Sequence, residues 1–208
     1  MPATSDSRLY HAHVPRNREA ILAVLKRLLP ARALVLEIAS GSGEHAAYFA
    51  KNLPSVSWLP TDIEAKALAS IAAFRAEAKL PNLLAPVRLD VTSESWPVKR
   101  LNAVVCNNMI HISPWAASEG LMAGAGRTLR AGGILYLYGP YKIDGRHTAR
   151  SNQEFDAYLR AQNAEWGIRD LGEMRELAAR HGLTQAETVT MPANNLSIIF
   201  RREGQSTA

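Results

Sequence analysis

The sequence lacks the features of a membrane protein or a disulfide-bonded protein. Its 208 residues contain one cysteine, Cys106, so no internal disulfide is possible, and the apolar run around it is typical of a buried thiol. No stretch approaches the roughly 20 consecutive apolar residues that a membrane helix needs, and the first residues contain no apolar signal segment. We therefore expect a soluble, cytoplasmic protein that does not contact membranes.

Basic blocks and metal-ligand clusters are also missing. The net charge is +5, but the basic residues occur singly or in pairs with acids between them. This distribution predicts a solvated basic surface and does not favour nucleic-acid binding, while attraction of an anionic small substrate stays open. His11 and His13 have ligand spacing, yet a mobile terminus explains them better, so we predict no metal. The sequence does not indicate an oligomeric state.

Strands and helices alternate along the chain, and no linker rich in proline, glycine or serine interrupts them. This pattern predicts an α/β fold with a mostly parallel sheet and helices on both faces, in a single domain over residues 1–208. Ligands of such sheets bind at the carboxyl ends of the strands. Helices are predicted at 17–29, 43–53, 64–79, 114–129, 151–162 and 170–181, and strands at 34–38, 56–59, 87–89, 103–106, 134–138, 187–191 and 196–201.

A glycine-rich turn follows the first predicted strand, in the stretch LEIASGSGEH. Gly41 and Gly43 stand where the strand becomes a helix, and the acid Glu37 precedes them. Free backbone N–H groups at a helix N-terminus suit an anion or a polar cofactor group, and glycine lets a ligand approach the main chain. Packing alone explains such a turn equally well.

Two further acids follow the next two predicted strands. Asp62 comes 21 residues after Gly41, the spacing at which an acid accepts hydrogen bonds from a ribose diol. Asp90 ends the third strand, where a carboxylate can accept a bond from an adenine amine, although a lone acid in this position is more often a helix cap. Together with Glu37, these acids predict a nucleoside-containing cofactor.

These residues resemble class I S-adenosylmethionine (SAM)-dependent methyltransferases over residues 34–201. The resemblance implies a Rossmann-like fold whose seven-stranded sheet ends in an antiparallel strand, with SAM as cofactor and S-adenosyl-L-homocysteine (SAH) as product. Ala39 stands where that family has its first glycine. The stretches EIASGSGEH, NNMIHISPW, SNQEFD, WGIRDL and MPANN are similar to a poorly characterised methyltransferase-like family of bacteria and animals. The implied cofactor-binding residues are Glu37, Ala39, Ser40, Gly41, Gly43, Asp62, Ile63, Asp90, Val91, Asn107 and Arg18.

Two other functions fit part of this pattern. A nicotinamide-dependent oxidoreductase also uses a glycine-rich turn and a ribose acid, and Ala46 stands at its third glycine position. Glu37, Asp90, the final β-hairpin and the lack of a Tyr-x-x-x-Lys pair argue against it. A non-catalytic SAM-binding interaction module is the second alternative.

Polar residues follow the fourth and fifth predicted strands, where an acceptor would bind. The stretch CNNMIHISPW lacks the (Asp/Asn)-Pro-Pro-aromatic motif of enzymes that methylate amides of nucleic acids or proteins. His111 is a candidate general base, and hydrogen bonding to the cofactor or capping the next helix are equally open to it. Residues 141–168 are longer than a plain crossover and form a candidate lid.

The N-terminal helical segment, residues 1–33, is the last candidate part of the site. In the resembling family such a segment folds over the cofactor, so Tyr10 and Arg18 are expected to help close it, while Asn17 suits a helix N-cap. The sequence thus predicts SAM-dependent methyl transfer to an oxygen or nitrogen of a small polar acceptor. The predicted substrate-binding residues are Tyr10, Asn108, His111, Trp115, Tyr141, Asn152, Asn194 and Asn195.

Overall fold

The computed structural model describes residues 7–204, and these residues contain a seven-stranded sheet. Its strand order is β3-β2-β1-β4-β5-β9-β8, and β6 and β7 form a separate two-stranded hairpin. The described residues also form six α-helices, which alternate with the strands along most of the chain, and this confirms the predicted α/β fold. The strands are β1 (Ala33–Ile38), β2 (Val56–Asp62), β3 (Val87–Arg88), β4 (Leu101–Asn107), β5 (Leu129–Gly139), β6 (Lys142–Ile143), β7 (Arg146–His147), β8 (Leu183–Met191) and β9 (Asn195–Arg202).

The chain divides into two compact units, one ending at Asp90 and the other beginning at Val91. The first unit contains β1 to β3, which pair in parallel. Its core is built on aromatic packing, with the Phe49 and Trp58 ring centroids 5.2 Å apart and both side chains fully buried. The helices of this unit are α1 (Val14–Leu28), α2 (Glu44–Asn52) and α3 (Ala65–Ala78).

The start of α1 differs from the predicted one. The helix begins at Val14, with Pro15 in its first turn, so the prediction of Asn17 as N-cap is wrong. Proline suits this position because its missing N–H would have no partner inside the helix. Asn17 lies one turn further on, where it is buried and its Oδ1 is 2.8 Å from His45 Nε2.

The second unit contains a parallel pair and the antiparallel end of the sheet. Strands β4 and β5 are parallel, and β9 is antiparallel to both β5 and β8, as predicted for the last strand. It follows that β8 runs in the direction of β5, which brings the turn after Met191 to the edge where β5 ends. The helices of this unit are α4 (Trp115–Thr128), α5 (Arg150–Gln162), α6 (Leu171–Ala179) and a short 3₁₀-helix (Met109–His111).

The predicted lid contains the helix that the sequence indicated and a β-hairpin that it did not. The hairpin β6–β7 and helix α5 occupy most of residues 141–168. Helix α5 begins at Arg150, one residue before the predicted start, and its N-cap, Ala149, makes no side-chain cap, so Ser151 does not cap the helix. Ser151 Oγ instead accepts a bond from Asn194 Nδ2 at 3.1 Å. Within residues 7–204, no helix has both the length and the apolar character needed to cross a membrane.

Candidate functional site

The turn after β1 is tied to the end of β2 by backbone hydrogen bonds. The Gly41 N–H donates to Asp62 Oδ2 at 2.9 Å, and the Glu64 N–H donates to Asp62 Oδ1 at 3.0 Å. The Ser40 N–H donates to the Thr61 carbonyl oxygen at 2.8 Å. The Asp62 carboxylate therefore fixes both the glycine turn and the start of α3, and the predicted pair Gly41 and Asp62 is in direct contact.

Glu37 is buried beneath this turn and is hydrogen-bonded inside the first unit. Its Oε2 accepts bonds from Trp58 Nε1 at 2.9 Å and from Ser40 Oγ at 3.0 Å. Burial raises the pKa of the Glu37 carboxyl to about 7, although both hydrogen bonds oppose this shift. Glu37 and Ser40 thus form a connected polar group that positions the turn.

Glycine stands at the two positions of the turn for different structural reasons. Gly43 has φ +88°, and a Cβ there would lie 2.8 Å from Ile71 Cα, so glycine is required for the packing of α3 against the turn. Gly41 has φ +58°, and a Cβ there would meet only the His11 ring, at 3.9 Å. Packing therefore requires glycine at residue 43, whereas at Gly41 the positive φ favours glycine and a Cβ would make only an ordinary contact with the His11 ring.

The other predicted cofactor residues of this region flank the turn and the strand ends. Ala39 adopts φ +51°, a left-handed conformation that favours glycine, which accounts for the usual glycine at this position in the resembling family. Ile63 follows Asp62 and is 42% exposed. Asp90 and Val91 follow β3 and are half-buried. These side chains are accessible at the carboxyl ends of β2 and β3.

Tyr10 and Arg18 lie together in a cleft of the first unit. The Arg18 guanidinium is 4.5 Å from the centre of the Tyr48 ring, and Tyr10 packs edge-on against Phe74 at 5.4 Å. Together with Glu44, these side chains help to line a cleft of roughly 440 Å³. This aromatic cleft was not predicted from the sequence, because nothing in the helical pattern distinguishes Tyr48 and Phe74 from other helix residues.

In the second unit, His111 and Tyr141 form a buried pair of polar rings. Their centroids are 5.3 Å apart in an edge-to-face arrangement, and neither residue is exposed. Among residues 7–204, neither ring nitrogen of His111 nor the Tyr141 hydroxyl has a hydrogen-bond partner. Burial, reinforced by Arg169, lowers the pKa of His111 to about 3, and burial raises the pKa of Tyr141 well above its usual value. Both rings are therefore uncharged at neutral pH.

The ends of β4 and β5 make room for the imidazole. A Cβ at Gly139 would lie 2.4 Å from His111 Nε2 and 3.3 Å from Asn108 Oδ1, so glycine is needed where the histidine approaches the strand. The Asn108 N–H donates to the Tyr138 carbonyl oxygen at 2.8 Å. Asn107 Oδ1 is buried and has no hydrogen-bond partner within the described chain.

Asn152 and Asn194 join α5 to the turn between β8 and β9. Asn152 Nδ2 donates to Thr148 Oγ1 at 2.9 Å and to the Asn194 carbonyl oxygen at 3.0 Å. Thr148 Oγ1 is in turn 3.5 Å from the Tyr141 carbonyl oxygen. The predicted residues Tyr141, Asn152 and Asn194 are thus brought together. Asn195 differs from them, because its amide donates to the carbonyl oxygen of Pro192 at 3.1 Å, within its own turn.

Arg169, which sequence reasoning did not assign to the site, holds the segment around His111 in place. It donates to the carbonyl oxygens of Ile110 at 2.9 Å and Ser113 at 2.6 Å, and it lies 5.6 Å from the centre of the Trp115 ring. Trp115, a predicted substrate residue, therefore contacts a cation of the chain itself. Arg169 lies in the stretch WGIRDL, one of those that carry the family resemblance. Its place in that stretch was the one indication in the sequence that Arg169 belongs to the site.

Asp156 is the second residue that was not assigned to the site from sequence, although it ends the quoted stretch SNQEFD. Its carboxylate accepts bonds from Lys142 Nζ at 2.8 Å and from the Ile168 N–H at 2.7 Å, and His147 Nε2 lies 3.0 Å from it. These contacts join β6, β7 and α5 to the segment whose Gly167 N–H donates to the His111 carbonyl oxygen at 2.9 Å. The lid region is thereby linked to the histidine.

No metal centre is formed by the described residues. Between residues 7 and 204, no group of three or more His, Cys, Asp or Glu side chains could hold an ion together. His11 and His13 stack with their centroids 5.5 Å apart, and the His11 N–H donates to Glu44.

The strand order, the antiparallel last strand and the acid-glycine turn define a class I methyltransferase fold, and solved structures of that class match this chain. SibL, a SAM-dependent methyltransferase, superposes with a TM-score of 0.74 at 18% identity over 93% of this chain. An O-methyltransferase family protein from Burkholderia thailandensis gives 0.74 at 16% identity over 93%. PigF, solved with SAH, gives 0.76 at 14% identity over 92%. The chain spans 57%, 62% and 57% of these three proteins.

The chain belongs to the family described as "Protein of unknown function (DUF938)", which matches residues 8–202. At these low identities, the structural similarity establishes the fold shared with SAM-dependent methyltransferases.

Proposed function

We propose that this chain is an enzyme that binds SAM and transfers its methyl group to an oxygen or nitrogen of a small polar acceptor. The observation that carries the proposal is the contact between Gly41 and Asp62. It places an open glycine backbone and a ribose-type carboxylate side by side at the ends of two parallel strands. The fold is that of SAM-dependent methyltransferases, and PigF was solved with SAH.

The first unit has the groups that a nucleoside cofactor requires. Asp62 uses one lone pair on each oxygen for the turn, and each carboxylate oxygen has a second lone pair that can accept a ribose hydroxyl. The absence of a side chain at Gly41 would let the cofactor approach the backbone closely, beside the His11 ring, which lies 3.9 Å from the Cβ position. Glu37 and Ser40 keep the turn in shape. Bound SAM would supply a methyl group activated on a sulfonium ion. The other proposed contacts in this unit are Ala39, Gly43, Ile63, Asp90 and Arg18. Val91 and Asn107, which belong to the second unit, stay predicted cofactor residues.

The second unit has the groups that would hold the acceptor. Neutral imidazole at His111 can accept a hydrogen bond from an acceptor hydroxyl or amine, and Tyr141 can both donate and accept. The pKa of His111 is lowered to about 3, which makes it a weak base at neutral pH. We therefore assign it the role of orienting the acceptor and not that of a general base. Orientation matters in an in-line displacement, where the nucleophile must face the methyl carbon.

The lid region would enclose this acceptor. Asn152 and Asn194 connect α5 to the β8–β9 turn, and Asp156 and Arg169 connect the lid to the segment around His111. We propose that these contacts exclude water from the acceptor, since a desolvated site strengthens every polar contact made inside it. Asn108 and Trp115 are further proposed contacts in this unit, and Tyr10, which belongs to the first unit, stays a predicted substrate residue. We also propose that residues 1–208 act as a single cytoplasmic methyltransferase domain.

Calorimetric titration with SAM, SAH and NAD tests the cofactor. We expect SAM and SAH to bind in the micromolar range, about -8 kcal/mol, and NAD not to bind. Replacing Asp62 with alanine should weaken SAM binding by about 1 to 3 kcal/mol, because the ribose hydroxyls lose their acceptor. The control is Glu64→Ala, which removes a nearby exposed acid. The Glu64 side chain does not cap α3, so this substitution should leave the SAM affinity unchanged.

Two results would contradict the assignment. Saturable binding of NAD without binding of SAM would favour the oxidoreductase alternative. An equal loss of SAM affinity in Asp62→Ala and Glu64→Ala would mean that SAM binding depends only on the negative charge of this segment. The contact between Asp62 and Gly41 would then not be part of the cofactor site.

A further inference from the structure

We propose that the cleft around Tyr10 and Arg18 in the first unit binds an aromatic monocarboxylate, a flat ligand with a single negative charge. Its volume of roughly 440 Å³ lies in the range of small-molecule pockets, and all of its lining residues belong to the first unit. The inference goes beyond the proposed function, because this ligand is neither the cofactor nor the methyl acceptor. It rests on an unpaired cation, on an excess of positive charge and on three aromatic rings.

The Arg18 guanidinium lies in this cleft without a hydrogen-bonding partner. Within residues 7–204 it forms no ion pair and no hydrogen bond, and its Nε is buried and unpaired. Its contact is with the Tyr48 ring, whose centre is 4.5 Å from Cζ, and such a ring contact is made without an N–H hydrogen bond. A guanidinium binds a carboxylate through two parallel hydrogen bonds, so Arg18 is suited to a ligand of that kind.

Both acids of the cleft are occupied by groups of the chain itself. Glu77 forms an ion pair with Arg8. Glu44 accepts bonds from the His11 N–H at 2.8 Å and from Ser42 Oγ at 3.0 Å. Because neither carboxylate pairs with the guanidinium in the cleft, that cation remains available for a ligand.

The charges around the cleft favour an anion with one negative charge. Lys51 is the second cation that lines the cleft, and like Arg18 it forms no ion pair or hydrogen bond with the residues that the structure describes. Together with Arg8, these cations outnumber the acids Glu44 and Glu77 by one. A monocarboxylate therefore balances the charge of the cleft, whereas a cation or a dianion does not.

The aromatic rings account for the second property of the ligand, its flat apolar body. Tyr10 packs edge-on against Phe74 with the ring centroids 5.4 Å apart, and Tyr10 remains 62% exposed. A further ring can stack on such side chains or pack edge-on against them, and this adds to the free energy gained by burying its apolar surface. The other apolar lining residues are Ala47, Ala78 and Leu80.

The cleft is distinct from the turn that carries the cofactor proposal. Gly41 and Asp62 do not belong to the described residues that line it. Arg18 stands among the proposed SAM contacts through the family resemblance, whereas its observed contact is the one with Tyr48 inside the cleft. We therefore expect the carboxylate to bind whether or not the cofactor is present.

NMR titration of the isotope-labelled full chain tests the site, with cinnamate as the probe. Cinnamamide has the same flat body without the charge, and acetate has the charge without the ring. We expect cinnamate to produce saturable shifts in the amide signals of the lining residues on α2 and α3, with an affinity at least tenfold higher than that of cinnamamide. Acetate should produce no saturable shift over the same concentrations. A second titration with saturating SAH should give the same cinnamate affinity within twofold.

A matched set of substitutions separates the role of the charge from that of the rings. Arg18→Gln should weaken cinnamate binding by at least tenfold and leave cinnamamide binding unchanged, because only the carboxylate pairs with the guanidinium. Phe74→Leu should weaken the binding of both probes by a similar factor, since both have the same ring. Lys26→Gln removes an exposed cation outside the cleft and should change neither affinity. The amide spectra show whether each variant retains its fold.

The outcomes distinguish this inference from the proposed function. It is overturned if cinnamate binds no more tightly than cinnamamide, if the shifts are confined to residues outside the cleft, or if Arg18→Gln weakens both probes equally. Displacement of cinnamate by SAH would also overturn it, because the cleft would then be part of the cofactor site. If cinnamate binds in the cleft and SAH does not bind at all, the inference stands and the proposed function is contradicted.

Discussion

The glycine turn of the first unit and the ring pair of the second unit differ in how their buried polar groups are satisfied. In the turn, Asp62 and Glu37 each accept two hydrogen bonds from the chain itself. In the ring pair, the His111 nitrogens and the Tyr141 hydroxyl have no partner within residues 7–204. The first region is complete without a ligand, whereas the second has the structure of an incomplete site.

This difference has a physical consequence for specificity. A preformed turn loses little entropy when it binds a common cofactor, so its geometry can be fixed in advance. Unpaired groups destabilise the free protein, and this cost is relieved only by a ligand with matching donors and acceptors. Acceptor choice would then depend on the second region.

The largest expected effect is the response of His111 to acid. Burial, reinforced by Arg169 and partly opposed by Asp156, lowers its pKa from 6.5 to about 3. The unfolded chain therefore takes up a proton first, so stability from this residue is full above pH 6.5 and is lost as the pH falls toward 3. Between pH 7 and pH 4 the unfolding free energy should fall by on the order of 3 to 4 kcal/mol more in the wild type than in His111→Asn. Denaturant titrations at each pH measure the two unfolding free energies. If those of the wild type and His111→Asn change with pH by the same amount, the imidazole is not desolvated.

Glu37 should give a pH dependence of the opposite sign. Its folded pKa of about 7 lies above the ordinary 4.5, so its contribution is full below pH 4.5 and is lost as the pH rises through 7. Relative to Glu37→Gln, the wild type should lose on the order of 3 kcal/mol between pH 4.5 and pH 8. Glutamine keeps an acceptor for Trp58 and Ser40, which makes it a suitable comparison. Chemical unfolding across this range measures the difference, and a constant gap between the two proteins would refute the raised pKa.

Two tyrosines of one region should respond in opposite directions to the loss of a hydroxyl. Tyr141→Phe removes an unpaired buried hydroxyl and should raise the unfolding free energy of the free protein by about 1 kcal/mol. Tyr136→Phe is the control, since its hydroxyl lies 2.6 Å from Ser197 Oγ, and it should lower that energy by about 1 to 2 kcal/mol. Destabilisation of similar size in both variants would mean that the Tyr141 hydroxyl has a partner, such as a buried water, in the free protein.

The smallest effect is expected at Ala39. Its φ of +51° is disfavoured for a residue with a Cβ, so Ala39→Gly relieves strain of about 1 kcal/mol and adds a similar entropy cost in the unfolded chain. The net change in stability should lie within about 0.5 kcal/mol, and SAM affinity should stay within twofold. A large loss of affinity on calorimetric titration would show that the alanine methyl group itself contacts the cofactor.

The succession of strands and helices and the glycine turn were predictable because local patterns determine them. Alternating apolar strands and helices indicated the sheet, and the spacing singled out Gly41 and Asp62, although it did not predict the hydrogen bond between them. The role of Gly43 was not predictable from that pattern, since it depends on the approach of Ile71 from a helix 28 residues later in the chain.

The lid shows where sequence reasoning ends. Its polar residues suggested a ligand-facing loop, but the contacts of Asp156 join four separate chain segments, and no local pattern reveals such a convergence. The wrong prediction of Asn17 as an N-cap also comes from a contact that is distant in the sequence. Its local signal was overridden by a tertiary partner, His45, to which the amide is bonded at 2.8 Å.

The most direct test of the account is the fate of a labelled methyl group. The purified chain is incubated with methyl-labelled SAM and a cell extract, which is then divided into small molecules, RNA and protein. The account predicts label in the small-molecule fraction, with a loss of at least tenfold in His111→Ala while SAM still binds. Label found in RNA or protein, and in no small molecule, would contradict it.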